Sequence, residues 1–232
     1  MATQTFDVIG RGIFSVTDAS RLTRIPSRRI RRWILGYDFR LPSGIRHSEP
    51  ALHHDYQISG RDVWLSFADL IEVRFLDAFR DAGVSWAAIR VAAERATQLL
   101  GQDHPFSSRK FKTDGKTIMT EIASGTGAQE LLDLVRNQVA FKRILDPYLY
   151  RGLEFGPGHV VSKWWHEAGN RKIVIDPERA FGRPIIAKEG VPTRALSYAF
   201  AVEKSIERVA AQFELSKASV AAAVEFEQRL AA

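Results

Sequence analysis

A mainly α fold with small β elements (α+β) is predicted from three features of this 232-residue sequence. Apolar residues recur with a 3.6-residue period through most of the longer segments. Several of those segments open at a Ser or Thr and close at a glycine. The β-favouring stretches between them are short and bounded by turn residues. The chain is long enough for one large domain or two ordinary ones, each burying its own core. An apolar share of 45% and a charged share of 26% are usual for a soluble globular protein.

The first helical segment lies in "FSVTDASRLT". Thr17 is placed to cap it, Asp18 sits where the helix dipole favours an acid, and Ala19 and Leu22 supply the apolar face. Pro26 disfavours helix at Ile25, and Ser27 is placed to cap a second helix, which gives a helix-turn-helix. In that second helix Ile30, Trp33, Ile34 and Tyr37 share one face. Arg28, Arg31 and Arg32 cluster opposite, with Arg29 on the flank.

Residues 38–62 read as loop, with "LHHDYQI" turning at "SGRD" into "VWL" as a two-stranded wing. Ser66 and Gly83 bound the next helix, and Ser85 and Gly101 the one after. "RKFKTDGKTIMTEI" reads as a hairpin about its D-G pair, "GAQELLDLV" as a short helix, and "FKRILDPYLYRGLEFG" as two short strands about Pro147. "HVVSKWWHEAGN" reads as a linker, in which Trp164 and Trp165 are either core residues or an exposed contact. Beyond it come a strand ending at Asp176-Pro177, a second short strand, and a helix opened by Pro192-Thr193. Two closing helices, near 205–213 and 217–230, outline a second helix-turn-helix. The outward face of the last helix is expected to mix Glu225, Glu227 and Arg229. Val220, Val224 and Leu230, widened by Phe226, are expected to leave apolar surface for dimerisation. The expected domains are 1–101, a mixed bridging region 102–165, and 166–232.

Charge locates the function. The net charge is +6, yet nine arginines and only two acids lie between Arg11 and Arg46. A basic end on a near-neutral body points to a local polyanion contact. The bland alternative, a solvated basic helix, is opposed by the lack of any interleaved acid after a helix-turn-helix break. Ser27, Arg28, Arg29, Arg31 and Arg32 are therefore the candidate DNA-binding residues.

No other chemistry stands out. The absence of cysteine excludes disulfides, cysteine-ligated zinc and a cysteine nucleophile, and is compatible with a reducing cytoplasm. His47, His53 and His54 have no partner at ligand spacing, so no metal and no cofactor are expected. No acid, base and nucleophile cluster, and "GTG" at 125–127 lacks the lysine of a phosphate loop, so no enzyme is expected. "MATQTFDVIGRG" is no signal peptide, and no apolar run reaches the roughly 18–20 residues that span a bilayer. A cytoplasmic protein without a membrane contact is expected.

Residues 13–101 resemble the MerR-like winged helix domain in the order "FSVTDASRLTRIPSRRIRRWI", wing, "LSFADLIEVRFLDAFRDAGVSWAAIR". Full MerR regulators add a long dimerisation helix, which this N-terminal domain is expected to lack, so small-effector sensing is not expected. Residues 172–229 resemble the small domain of VapB-type antitoxins that accompany PIN-like ribonuclease toxins. They do so through "IVIDPERAFGRPII", "GVPTRALSYAF" and "SIERVAAQFELSKASVAAAVEFE". The resemblance implies a DNA-binding antitoxin of a type II toxin-antitoxin system that neutralises the toxin and represses its own operon. Its implied partners are operator DNA and the toxin, and a homodimer would match a palindromic operator. Arg183 in the "FGRP" turn and Arg194 are the candidate toxin-binding residues, unless Arg183 only satisfies turn carbonyls. The alternative is a free-standing MerR-like transcription regulator without a toxin.

Overall fold

The structure is a computed structural model that describes residues 9–51, 53–56, 62–137, 147–167 and 169–231. It is mainly helical with small two-stranded sheets, the α+β class expected. Ser15–Tyr150 with Phe155–Val161 form one compact unit. Met1–Phe14, Arg151–Glu154 and Ser162–Ala232 form a second.

In the first unit, α1 (Val16–Thr23) is capped by Ser15, whose hydroxyl accepts from the Asp18 N–H at 3.0 Å. Thr17, the expected cap, lies inside the helix, because it is the Ser15 oxygen that reaches a free amide. Arg24 takes a left-handed conformation (φ 65°) and its N–H closes onto the Ser20 carbonyl, which ends α1. Pro26 then starts α2 (Ser27–Leu35). Ser27 is its first residue and makes no capping hydrogen bond, contrary to its expected role as the cap.

A hairpin lies before the segment expected to form the wing. β2 (Tyr37–Leu41) and β3 (Gly44–Ser48) pair antiparallel around a two-residue turn, with Phe39 opposite Arg46 and Arg40 opposite Ile45. Of the expected wing, "VWL" holds the short strand β4 (Trp64–Leu65), while Leu52 and residues 57–61 lie outside the described residues.

α3 (Phe67–Asp81) starts at the expected Ser66, with a full capping box to Asp69. α4 (Trp86–Leu100) starts at Ser85 and stops at left-handed Gly101. The segment read as a hairpin is instead the long helix α5 (Arg109–Thr126). Phe111, Gly115, Ile118, Met119 and Ile122 are buried along one helical stripe, and Gly115 packs inside the helix rather than turning the chain. α6 (Gln129–Arg136) follows as expected. Residues 138–146 lie outside the described residues. After them Pro147–Tyr150 form a helical turn, α7, where a strand was expected, before β5 (Leu153–Phe155). The core of this unit is aromatic and aliphatic: Trp33, Phe75, Phe79, Phe106 and Phe111 are each at most 1% exposed.

The second unit holds part of β6 (Val161–Trp164), in the stretch read as a linker. Trp164 is core, only 5% exposed. β7 (Ile173–Val174) and β8 (Ile185–Ile186) pair antiparallel, and a bridge from Trp164 to Ile175 extends the pairing. α8 (Thr193–Glu203), α9 (Ile206–Gln212) and α10 (Lys217–Ala231) pack against one another. Two expectations about α10 change. Glu227 is buried, and its carboxylate accepts from the Thr193 hydroxyl at 2.6 Å. Val220, Val224, Phe226 and Leu230 are all buried within this chain, so that face is not spare for a partner.

Candidate nucleic-acid interface

α2 separates its two faces cleanly. Ile30, Trp33 and Ile34 are at most 1% exposed, while Arg28, Arg29, Arg31 and Arg32 are all exposed. Trp33 meets the Trp86 ring edge-on at 5.4 Å between centroids, and its carbonyl accepts from the Ala51 N–H at 2.9 Å. A polar, arginine-bearing face is thus held on a rigid aromatic anchor. The first turn of α2 contains no acid of its own; the carboxylates that meet it, Asp77 and Asp81, come from α3.

The four guanidiniums are not equivalent. Arg29 binds Asp77 of α3 and lies 3.9 Å from Asp81. Partial burial pushes the Asp77 carboxyl above its ordinary range, against the pull of Arg29 and with the repulsion of Asp81. Arg29 is thereby tied to α3. Arg32 stacks over the Tyr37 ring at 3.8 Å from its centroid, which aims the guanidinium along the start of β2.

The β2–β3 hairpin adds exposed Arg40 and Arg46, one on each side of the ribbon. Neither is marked in the sequence, because most residues of both strands are exposed and show no apolar alternation. Arg90 of α4 donates to the Ser48 hydroxyl at 2.9 Å and to the Glu49 carbonyl at 3.1 Å, which fixes the root of the hairpin. At the joint between α2 and β2, Gly36 has φ 72° and ψ −170° and is buried against the Ser48 carbonyl.

The two expected toxin-contact residues lie in the second unit, and both are exposed. Arg194 is in the first turn of α8, with its Nε donating to the Tyr198 hydroxyl at 2.9 Å. Arg183 follows a turn in which Ala180 and Phe181 both have positive φ (49° and 55°). The guanidinium that satisfies a carbonyl here is that of Arg179, which donates to Ala187 O at 2.9 Å. The strained turn also holds Phe181 outward, 56% exposed, beside Arg183. Nothing in the sequence marks Phe181, since only the backbone conformation exposes it.

Residues 173–226 match a family described as "Protein of unknown function (DUF433)". Over 189 residues the chain is 26% identical to "Putative antitoxin VapB45" of Mycobacterium tuberculosis (strain ATCC 25618 / H37Rv), covering 77% of this chain and 78% of that protein. The chain is therefore a distant homologue of a protein so named. Its fold is similar to that in the X-ray crystal structure of Rv2018 from Mycobacterium tuberculosis. The TM-score is 0.64 at 22% identity, over 91% of this chain and 96% of the other. No helix among the described residues is long and apolar enough to cross a membrane.

Proposed function

We propose that this protein is a DNA-binding antitoxin of a type II toxin-antitoxin system, neutralising a PIN-like ribonuclease toxin by direct binding and repressing its own operon. The observation that carries the DNA reading is the α2 face. Four exposed arginines and no acid project from a helix whose other side is buried. In this reading α2 lies in the major groove. Arg28, Arg31 and Arg32 reach base edges and phosphates, Ser27 meets the backbone at the helix start, and Arg29 holds the helix on α3. Arg40 and Arg46 of the hairpin approach the flanking phosphates as a wing does. One such module reads few bases, so a homodimer on a two-fold operator follows. The buried apolar face of α10 directs the search for its interface to other surfaces.

Binding to the protein's own promoter region is expected to weaken steeply with salt, because cations on α2 displace condensed counterions. Arg28→Ala and Arg32→Ala are each expected to cost about 1–3 kcal/mol of binding. Arg29→Ala is expected to lower stability as well. Mobility shifts indifferent to Arg28→Ala and Arg32→Ala would remove α2 from the interface.

The toxin reading rests on the homologue's name and on the exposed Phe181–Arg183 turn with Arg194 nearby in sequence. Aromatic and arginine side chains are the usual anchors of protein interfaces. A basic side chain also suits the acidic, metal-dependent centre of such a nuclease. Full-length Phe181→Ala, Arg183→Ala and Arg194→Ala variants, mixed with the neighbouring gene's ribonuclease, are expected to bind it roughly 10-fold or more weakly. Their operator binding is expected to stay intact. Unchanged toxin affinity in all three would place the contact elsewhere, and a chain with no toxin to bind would be the free-standing regulator.

A further inference from the structure

Among the described residues, one largely buried cluster of titratable groups includes none of the side chains assigned to either surface. Asp55 follows the hairpin, Asp69 is in the first turn of α3, and His104 is in the connection between α4 and α5. Their ligand-type atoms all lie within 4.8 Å of one another. His104 Nε2 is 3.3 Å from Asp55 Oδ1 and 3.8 Å from Asp69 Oδ1.

Asp69 is 1% exposed, and its two oxygens are used differently. Oδ2 accepts from the Ser66 N–H at 2.9 Å and the Asp55 N–H at 3.3 Å. Oδ1 is buried, faces the cluster and has no hydrogen-bond partner. One turn on, fully buried Glu72 accepts from the amides of Phe106 and Ser107 at 3.0 and 2.8 Å. Three carboxylates therefore converge on one imidazole. Burial pushes Asp69 and Glu72 above the ordinary carboxylate range. Burial alone would lower His104, but its hydrogen bond to Asp55 and the nearby carboxylates raise it to about 9.

We propose that Asp55, Asp69 and His104 form a binding site for a divalent first-row metal ion of the Zn²⁺ class. Oxygen and nitrogen ligands about 2.0–2.2 Å from a tetrahedral ion stand roughly 3.3–3.6 Å apart. The two His104 separations lie at and just above that range, and all three ligand atoms stay within 4.8 Å of one another, so side-chain adjustments close the site. Asp55 and His104 are 16% and 12% exposed, which leaves an entry path. The exposed His53 ring stands 6.2 Å from that of His104, so the fourth position would be filled by water or by His53. The ion would join the segment after the wing to α3 and to the α4–α5 connection, a structural role. His104 Nδ1 has no hydrogen-bond acceptor to orient the ring. Lack of such a partner weakens metal sites by roughly 10–100-fold, which favours micromolar over picomolar affinity.

The test uses the full chain, stripped with a chelator, dialysed and titrated with Zn²⁺ alone. One ion per chain at micromolar or tighter Kd is expected, with a rise in the thermal midpoint. Co²⁺ in its place is expected to give the visible absorption of a tetrahedral site. Asp55→Asn, which leaves the capping box of α3 in place, and Asp69→Asn should each weaken binding at least 10-fold. His47→Gln on the hairpin should leave it unchanged. The proposal is overturned if the wild-type chain takes up no Zn²⁺ at tens of micromolar, or if stoichiometric binding is insensitive to both aspartate substitutions.

Discussion

Trp33→Ala is expected to destabilise the Ser15–Tyr150 unit by about 3–5 kcal/mol, the range for deleting a large buried aromatic side chain. Trp33 is 1% exposed and its ring packs edge-on against Trp86, a contact that adds about 0.5–1.5 kcal/mol beyond its area. It also stands between the arginine face of α2 and the rest of the core. Loss of the ring would let α2 shift, so operator affinity should fall even where the chain remains folded. Trp33→Phe keeps part of the volume and should recover much of the stability. Urea denaturation measures the first effect and titration of operator DNA the second. A stability loss below about 1 kcal/mol would show that α2 is held by something other than this side chain.

Gly36→Val is the second large expected effect, and its cause is local. At φ 72° and ψ −170° the backbone is in a region that is essentially glycine-only, and a side chain there costs on the order of 1–3 kcal/mol. A Cβ would also stand 2.2 Å from the Ser48 carbonyl oxygen and 2.8 Å from His47 Nε2. The imidazole can rotate away, but the Ser48 carbonyl belongs to the hairpin root that Arg90 holds in place. Relieving that clash adds about 1–3 kcal/mol, typical of overpacking. The joint between α2 and β2 would open, moving the hairpin arginines relative to those of the helix. Thermal unfolding should fall by roughly 2–4 °C for each kcal/mol lost in a chain of this size. DNA binding should become less sensitive to Arg40→Ala and Arg46→Ala than in the parent. A variant as stable as the parent would mean that the Gly36 backbone relaxes freely.

The parts of the fold legible in the sequence were those fixed by neighbours in the chain. Ser66, Ser85, Gly83, Gly101 and the Pro192-Thr193 start act within one turn, and the structure uses each at a helix end as read. α5 was misread because D-G is a turn signal only where the chain is free to turn. Here Gly115 is buried on a helical stripe with Phe111 and Met119, and packing overrode the local preference. The hairpin β2–β3 was missed for the opposite reason. Most of its residues are exposed on both faces, so it has no apolar alternation to detect. The arginine cluster on α2 was visible because the helical period alone places it. The tie of Arg29 to Asp77 was not, since it joins residues 48 positions apart. Asp55, Asp69 and His104 likewise carry no spacing signature, and only the folded chain brings them together.

The make-up of the second unit has a consequence for synthesis. The Ile13 N–H donates to the Phe181 carbonyl at 3.0 Å, so Ile13 waits for a partner about 170 residues later. At roughly 5–20 residues per second, a ribosome needs on the order of ten to thirty seconds to supply it. The Ser15–Tyr150 unit draws on almost no later sequence and can form during that interval. A nascent chain would then present its arginine helix before the turn holding Phe181 exists. On the proposed function, a chain released early would keep the DNA contact without the toxin contact.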